Sequence, residues 1–208
     1  MCGSFQLCIT VQLPRACGGL AGEALYINTN SNFASHRIRE LTKIFLEQYD
    51  TLTPKTSITN EFTQDFILQH IHCIPVRGYL ELIACIELLE TYLKGKQASI
   101  IFSQIKLIVI DSISHPMRFL DAEARSTMAA RMFRDLRRLA ATYNFAVVLT
   151  NDLTTRVTKG VSYTTPCFGD SFYHLVNARI VFSKRNNVFC GTVVKSVLHD
   201  KKDRVFVI

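Results

Sequence analysis

A short apolar run that ends on a carboxylate is the first place in this chain where chemistry is expected. Ile105 to Asp111 reads I-K-L-I-V-I-D, and a run this short and rich in Ile and Val predicts a strand buried on both faces. In an open parallel sheet, Asp111 would emerge at the carboxyl edge, where such sheets bind ligands. An aspartate there supports Mg²⁺ beside the phosphate chain in nucleotide hydrolases. The alternative is a core strand whose aspartate caps the next turn, and this stretch alone leaves both interpretations open.

Strands and helices alternate around this run. The predicted helices begin near Ser4 and at Ser35–Tyr49, Glu61–Gln69, Tyr79–Leu93, Ala122–Tyr143 and Gly169–Asn177. The other predicted strands are Ala24–Asn28, Ile71–Val76, Ala146–Thr150, Arg179–Phe182, Val188–Val194 and Val205–Ile208. Such alternation predicts an α/β fold, a mostly parallel sheet with helices on both faces. Antiparallel strands are expected at the carboxyl end, where Asn186-Asn187 joins two of them as a hairpin.

The composition is that of a globular protein with an acidic partner. The chain has 208 residues, of which 48% are hydrophobic and 20% charged, and this length fits one domain with a sizeable core. The net charge of +7 favours nucleic acid or an anionic membrane as the partner. No apolar run approaches the ~20 residues of a membrane span, and the amino terminus lacks a signal-peptide pattern. The 7 cysteines form no Cys-x-x-Cys pair, which indicates a reducing compartment rather than a disulfide framework or a zinc site.

Six segments in a fixed order resemble the RecA/RadA recombinase family, and most closely its C-type eukaryotic paralogues. They are Q-L-C at Gln6, G-G-L-A-G-E-A at Gly18, Y-I-N-T-N-S-N-F at Tyr26, L-I-V-I-D-S-I at Leu107, V-V-L-T-N-D-L-T-T at Val147 and P-C-F-G-D-S-F-Y-H at Pro166. The resemblance covers nearly the whole chain and implies one RecA-like core over residues 1–208. It also implies that the chain starts inside the phosphate-binding loop and lacks the family's small amino-terminal helical domain. ATP and Mg²⁺ are the cofactors that the family uses.

The resemblance breaks down at the phosphate-binding loop. Gly3 is the only glycine of that loop, Ser4 stands where the family has Lys, and Phe5 stands where it has Ser or Thr. The lysine neutralises phosphate oxygens and the hydroxyl binds Mg²⁺, and neither Ser4 nor Phe5 can take over these roles. The alternative interpretation is that these residues are simply the first turn of a helix.

Two reacting positions are also changed. Asn30 replaces the family's catalytic glutamate, so general-base help is lost. Asp152 replaces the glutamine of the switch after the strand ending at Thr150, and its charge would repel a γ-phosphate. Asp111 survives as a weak metal ligand, and His174 matches a histidine that reaches a nucleotide across a subunit interface. We therefore expect no catalytic residues, and ATP hydrolysis that is very weak or absent.

The family's DNA-facing loops correspond to Ser114–Glu123 and Thr154–Pro166. The first offers Arg118, and the second offers Arg156, Lys159 and Tyr163. Cations neutralise phosphates and aromatic rings stack on unpaired bases, although ordinary solvated loops have the same composition. The arginine-rich flank of Ala122–Tyr143 is typical of a solvated helix face and is not assigned to DNA.

Three functional interpretations stay open, of which the first two follow from the resemblance and the third is independent of it. The first is a nuclear factor of homologous recombination and double-strand break repair, including meiotic recombination. It would be a DNA-contacting accessory subunit, bound to single-stranded or branched DNA and to other recombinase paralogue subunits, with no membrane partner. The second is an ATP-dependent strand-pairing enzyme whose start codon lies further upstream. The third is a generic α/β nucleotide-binding protein with incidental basic charge.

Overall fold

The fold was obtained as a computed structural model, which describes residues 2–52, 62–97, 104–158, 160–168, 172–197 and 204–207. The helices are α1 Cys2–Thr10, α2 Ser35–Leu52, α3 Gln64–Gln69, α4 Tyr79–Gln97, α5 Ser114–Met117 and α6 Ala122–Tyr143. The strands are β1 Glu23–Asn28, β2 Ile71–Pro75, β3 Ile105–Asp111, β4 Ala146–Leu149, β5 Leu153–Thr158, β6 Val161–Pro166, β7 Arg179–Arg185, β8 Val188–Lys195 and β9 Arg204–Val207. The chain divides into two compact units, Met1–Cys167 and Phe168–Ile208.

A four-stranded parallel sheet in the order β2-β1-β3-β4 is the centre of the first unit. The register pairs Asn28 with Asp111 and Ile110 with Leu149, so the carboxyl ends of β1, β3 and β4 meet at one edge. Most of β1 and β3 is buried, as their apolar sequences predict. The predicted α/β class is therefore confirmed.

Side chains alternate across this sheet, and one face packs on α1 and α2. Its cluster consists of Phe5, Cys8, Val11, Ala24, Tyr26, Ile38, Leu107 and Val109. A second cluster, to which α3 contributes Ile67, also contains Ile9, Leu13, Tyr49 and Phe62. Helix α1 contributes Phe5 and Cys8 to the first cluster and Ile9 to the second, and Phe5 packs the first turn of the helix against Tyr26 of β1.

Helices α4 and α6 pack against each other. Arg131 binds Glu87 at 2.6 Å, and Arg138 binds Glu90 at 2.9 Å. Helix α6 begins where the Asp121 side chain accepts the N–H of Ala124, and it ends at Asn144, whose φ is 54°. These caps explain why its bounds agree with the sequence prediction.

The segment Thr154–Pro166, predicted as a polar loop, is instead part of the antiparallel hairpin β5–β6. Threonine, valine and tyrosine favour extended backbone, and Gly160 in the connection has a φ of 78°. Both faces are exposed, so the apolar alternation that marks a half-buried strand is missing from the sequence. The predicted loop Ser114–Asp121 likewise contains the short helix α5.

The second unit contains a three-stranded antiparallel sheet in the order β7-β8-β9. Asn186 and Asn187 have φ values of 49° and 63°, as the predicted hairpin turn requires. The predicted tail strand is β9, which pairs with β8. Of the helix predicted at Gly169–Asn177, residues 169–171 lie outside the described residues, and Phe172 and Tyr173 are helical.

Candidate functional site

Asp111 lies at the carboxyl end of β3 and is 4% exposed. Its Oδ1 atom accepts a hydrogen bond from the hydroxyl of Thr150 at 2.6 Å, and its Oδ2 atom accepts one from the hydroxyl of Tyr26. Its main-chain carbonyl accepts the N–H of Thr29 at 2.9 Å. Each carboxylate oxygen therefore has a partner from a neighbouring segment: Tyr26 lies within β1, and Thr150 directly follows β4.

Tyr26 is fully buried in β1, and its hydroxyl lies between Asp111 and Ser4. Burial raises the pKa of Tyr26 well above its usual range, the hydrogen bond to Asp111 and its negative charge raise it further, and the hydrogen bond with Ser4 lowers it. A buried tyrosine needs a hydrogen-bond partner, and here the partner is the carboxylate that the sequence assigned to a metal.

Phe5 packs into an aromatic group with Tyr26 and Phe33. The ring centroids are 5.3 Å apart for Phe5–Tyr26, 5.8 Å for Phe5–Phe33 and 5.2 Å for Tyr26–Phe33. Such distances are favourable for aromatic pairs. Gly3 is exposed in α1, and a Cβ atom there would meet open space. Apolar rings thus occupy the place that a phosphate-binding loop would need for polar groups.

The structure brings Ser4, Phe5 and Asp111 together around Tyr26, but this arrangement does not fit a magnesium–triphosphate group. Ser4 is uncharged, Phe5 has no ligand atom, and both oxygens of Asp111 already accept hydrogen bonds. Among the described residues, no group of three or more His, Cys, Asp or Glu side chains could hold a metal ion.

The substituted positions also have local partners. The Oδ1 atom of Asn30 accepts the N–H of Asn32 at 3.1 Å, which closes a turn. The Oδ2 atom of Asp152 accepts hydrogen bonds from Ser114 at 2.5 Å and Ser112 at 3.2 Å. The sequence analysis did not single out either serine, because the pairing depends on residues about forty positions away.

His174 lies in the second unit. It is exposed, and its ring meets that of Tyr173 edge-on at 5.7 Å. Tyr173 is anchored by its own neighbours: Lys195 donates to its carbonyl at 2.7 Å, and its hydroxyl donates to the carbonyl of Val194 at 3.2 Å.

The predicted DNA-contacting residues occupy two segments of the first unit. Arg118 is exposed at the end of α5, where its Nε atom donates to the carbonyl of His115 at 3.2 Å. Arg156 on β5 stands directly opposite Tyr163 on β6, and both are exposed. Directly opposed residues share one face of a hairpin, so this face presents a cation beside an aromatic ring. Lys159 lies outside the described residues.

Arg125 is a further cation at this site that the sequence analysis left out. It is half-buried in α6, its Nη2 atom donates to the carbonyl of Leu120 at 2.6 Å, and its buried Nε atom has no hydrogen-bond partner among the described residues. Burial and Asp152 raise the pKa of the Cys167 thiol, whereas Arg125 and Arg118 lower it. Both cations therefore favour the charged form of a thiol that directly follows β6. The usable signal was the position of Arg125 in the first turn of α6, next to the Arg118 segment.

Other arginines of α6 belong to a different surface. Arg131 and Arg138 point to glutamates of α4, as described above, and Arg134 lies 3.7 Å from Asp135. That flank stays unassigned to DNA, as the sequence analysis left it.

Comparison with known proteins decides the family. The family model described as Rad51 matches residues 2–76 and 84–206, nearly the whole chain. The chain belongs to the Rad51 family. The resemblance seen in its sequence motifs is therefore confirmed, together with the parallel sheet expected from it.

Curated relatives include two proteins called DNA repair protein RAD51 homolog 3. The one from Dictyostelium discoideum is 31% identical over 195 residues, covering 90% of this chain and 50% of the relative. The one from Cricetulus griseus is 29% identical and covers 92% of this chain and 53% of the relative. A DNA repair and recombination protein RadA from Metallosphaera sedula is 30% identical, with 88% and 53% covered. The chain spans about half the length of these relatives. None of its helices in the described ranges has the length and apolar composition needed to cross a bilayer.

Proposed function

We propose that this Rad51-family chain is a DNA-contacting accessory subunit of a recombinase paralogue complex. It acts in the nucleus, in homologous recombination and double-strand break repair, including meiotic recombination. It hydrolyses ATP very weakly or not at all. The names of the relatives support a role in DNA repair and recombination. The residues of the first unit support DNA contact without ATP hydrolysis.

The observation that carries the accessory role is the occupation of Asp111 by protein hydroxyls. Tyr26 and Thr150 each donate to one of its two carboxylate oxygens at a position that is 4% exposed. A Mg²⁺ ion would therefore compete with these hydrogen bonds, and displacing either one would leave a hydroxyl group unsatisfied. Breaking such a bond costs ~1–3 kcal/mol for each group left unsatisfied. Phe5, in the aromatic group beside it, offers no ligand atom that could repay this cost.

The hairpin supports a contact with single-stranded or branched DNA. Arg156 neutralises a phosphate, while Tyr163 on the same face stacks on an unpaired base. Arg118 and Arg125 add positive charge near the hairpin base, where they influence Cys167. None of these groups reads a base sequence, which suits a factor that acts at many DNA sites.

The first experiment compares Arg156→Ala/Lys159→Ala with Lys43→Ala/Lys94→Ala, which removes two cations next to Glu47 and Glu90. The affinity for a single-stranded oligonucleotide is measured at several salt concentrations. For the hairpin variant we expect weaker binding and a salt slope reduced by about 0.7 for each lost phosphate contact. The control is expected to retain the wild-type slope. Equal slopes in both variants would contradict the DNA contact.

The second experiment measures phosphate release from ATP by the purified chain, with and without DNA. We expect no release above the rate without protein. Robust protein-dependent release would favour the strand-pairing enzyme instead.

Affinity capture with the chain as bait, followed by mass identification, tests the complex: recombinase paralogues are expected among the bound subunits.

A further inference from the structure

Asp152 joins three segments of the first unit. Its carboxylate accepts hydrogen bonds from Ser112 and Ser114, in the turn after β3. Its N–H donates to the Ser114 hydroxyl at 3.1 Å, and its carbonyl accepts the N–H of Cys167 at 3.0 Å. The turn after β3, the start of β5 and the end of β6 are therefore tied at one residue.

The serine side of this junction is buried and hydrogen-bonded to the sheet. Ser112 and Ser114 are buried, and the N–H of His115 donates to the Ser112 hydroxyl at 3.3 Å. The Ser112 carbonyl accepts the hydroxyl of Thr29 at 2.6 Å, which fastens the turn to the end of β1. The hydrogen bonds of Asp152 therefore hold the base of the hairpin against the central sheet.

The hairpin side has little other support. Val157 is 70% exposed on one face and Val161 is 66% exposed on the other. A two-stranded hairpin without a covered face is marginally stable in water. Its direction relative to the sheet therefore depends on the hydrogen bonds at its base.

The charge of Asp152 would oppose DNA binding if it had no other role. The Asp152 carboxylate is hydrogen-bonded to Ser114 at the start of the one-turn helix α5, and Arg118 caps the other end of that helix, so this carboxylate lies close to a cation that we assign to DNA. A negative charge near a phosphate site lowers affinity. A positioning role explains why a carboxylate there is compatible with binding.

We propose that Asp152 is a positioning residue that latches the β5–β6 hairpin to the turn preceding Arg118. The latch keeps Arg156 and Tyr163 on one side, and Arg118 on the other, in the arrangement that DNA meets. Because the chain's own hydroxyls close the latch, the arrangement does not depend on a bound ligand. This inference rests on the proposed DNA contact, and its test separates the two.

The matched variants are Asp152→Asn and Asp152→Ala. Both remove the negative charge, but only asparagine retains an oxygen that accepts hydrogen bonds from Ser112 and Ser114. We expect Asp152→Asn to bind single-stranded DNA at least as tightly as wild type, and Asp152→Ala to bind roughly threefold to tenfold more weakly than Asp152→Asn, because fewer molecules have the hairpin correctly placed. The salt slope should be the same in both, since no cation is lost. Equal affinities of the two variants would show a charge effect alone and overturn the latch.

Amide hydrogen exchange of the free chain provides a readout that does not require DNA. In Asp152→Ala we expect faster exchange in the hairpin and in the turn after β3, with unchanged exchange in β1 and β3. Unchanged hairpin exchange would overturn the latch even if DNA binding fell. If wild type bound no DNA, the proposed function would fail while exchange still decided the latch. Ser114→Ala keeps the charge but removes both the donor to the Asp152 carboxylate and the acceptor of the Asp152 N–H, so the same faster hairpin exchange is expected there if Asp152→Ala does not fold.

Discussion

The hydroxyl of Tyr26 donates a hydrogen bond to the Oδ2 atom of Asp111, which lies on the neighbouring parallel strand. Tyr26 is fully buried and Asp111 is 4% exposed, so neither group can turn to water for a replacement partner. The pair converts a carboxylate at the ligand-binding edge of the sheet into a structural group. The stability of the chain should therefore depend on the tyrosine hydroxyl.

We expect Tyr26→Phe to lower the free energy of unfolding by ~1–3 kcal/mol, because it leaves the Oδ2 atom of Asp111 buried without that partner. Urea denaturation measures the change. Tyr143→Phe is the matched control: Tyr143 is also buried, but no hydrogen bond of its hydroxyl occurs within the described residues. Equal losses in the two variants would mean that the Asp111 contact contributes nothing to stability.

The same contact predicts a loss of stability in alkali. The pKa of Tyr26 is raised in the folded state, mainly by burial and then by Asp111, so the folded chain keeps its proton where the unfolded chain loses it. This contribution is fully present below a pH of about 10, the usual pKa of tyrosine, and is lost as the pH rises above it. Tyr26→Phe should therefore lose less stability than wild type between neutral and strongly alkaline pH. Stability is measured by denaturation at each pH. If the free energies of unfolding of wild type and Tyr26→Phe changed in parallel with pH, the raised pKa of Tyr26 would be contradicted.

Local sequence determined much of this fold. Strand β3 is apolar except for Lys106 and Asp111, and helix α6 carries a capping residue at each end, Asp121 and Asn144. The bounds of both elements could therefore be predicted from adjacent residues. The hairpin β5–β6 could not, because its threonines and exposed valines lack a buried face to set a period of two.

The candidate site was less predictable for a different reason. The residue types at Ser4, Phe5 and Asn30 were enough to predict a defective phosphate site, a prediction that awaits the nucleotide measurements. What surrounds Asp111 depends on contacts between distant segments: Tyr26 is 85 positions away and Thr150 is 39 positions away. No pattern within one element contains such pairs, although a tyrosine inside a buried strand does indicate that a hydroxyl partner must exist.

Restoring the family's lysine should not restore nucleotide binding. Ser4 is 7% exposed and lies beside Phe5 and Tyr26, so Ser4→Lys would bury an ammonium group among aromatic rings. The nearby Asp111 carboxylate already accepts hydrogen bonds from Tyr26 and Thr150, with which the ammonium group would compete. We expect a lower melting temperature and no rise in that temperature when ATP and Mg²⁺ are added. Ser126→Lys, the same change on an exposed position of α6, should leave the melting temperature nearly unchanged. A clear nucleotide-dependent increase for Ser4→Lys would contradict a closed site.

Arg125 and Arg131 lie on the same helix and differ in their partners, which makes them a matched pair for testing the DNA surface. Arg131 is neutralised by Glu87 at 2.6 Å, whereas no described carboxylate lies within ion-pair distance of Arg125. We expect Arg125→Ala to weaken binding to single-stranded DNA and to reduce the salt slope by about 0.7, the value for one phosphate contact. Arg131→Ala should leave both quantities unchanged, since its charge is already balanced. Fluorescence anisotropy with a labelled oligonucleotide at several salt concentrations measures both. If Arg131→Ala had the larger effect, the DNA surface would lie on the α4–α6 flank rather than at the hairpin base.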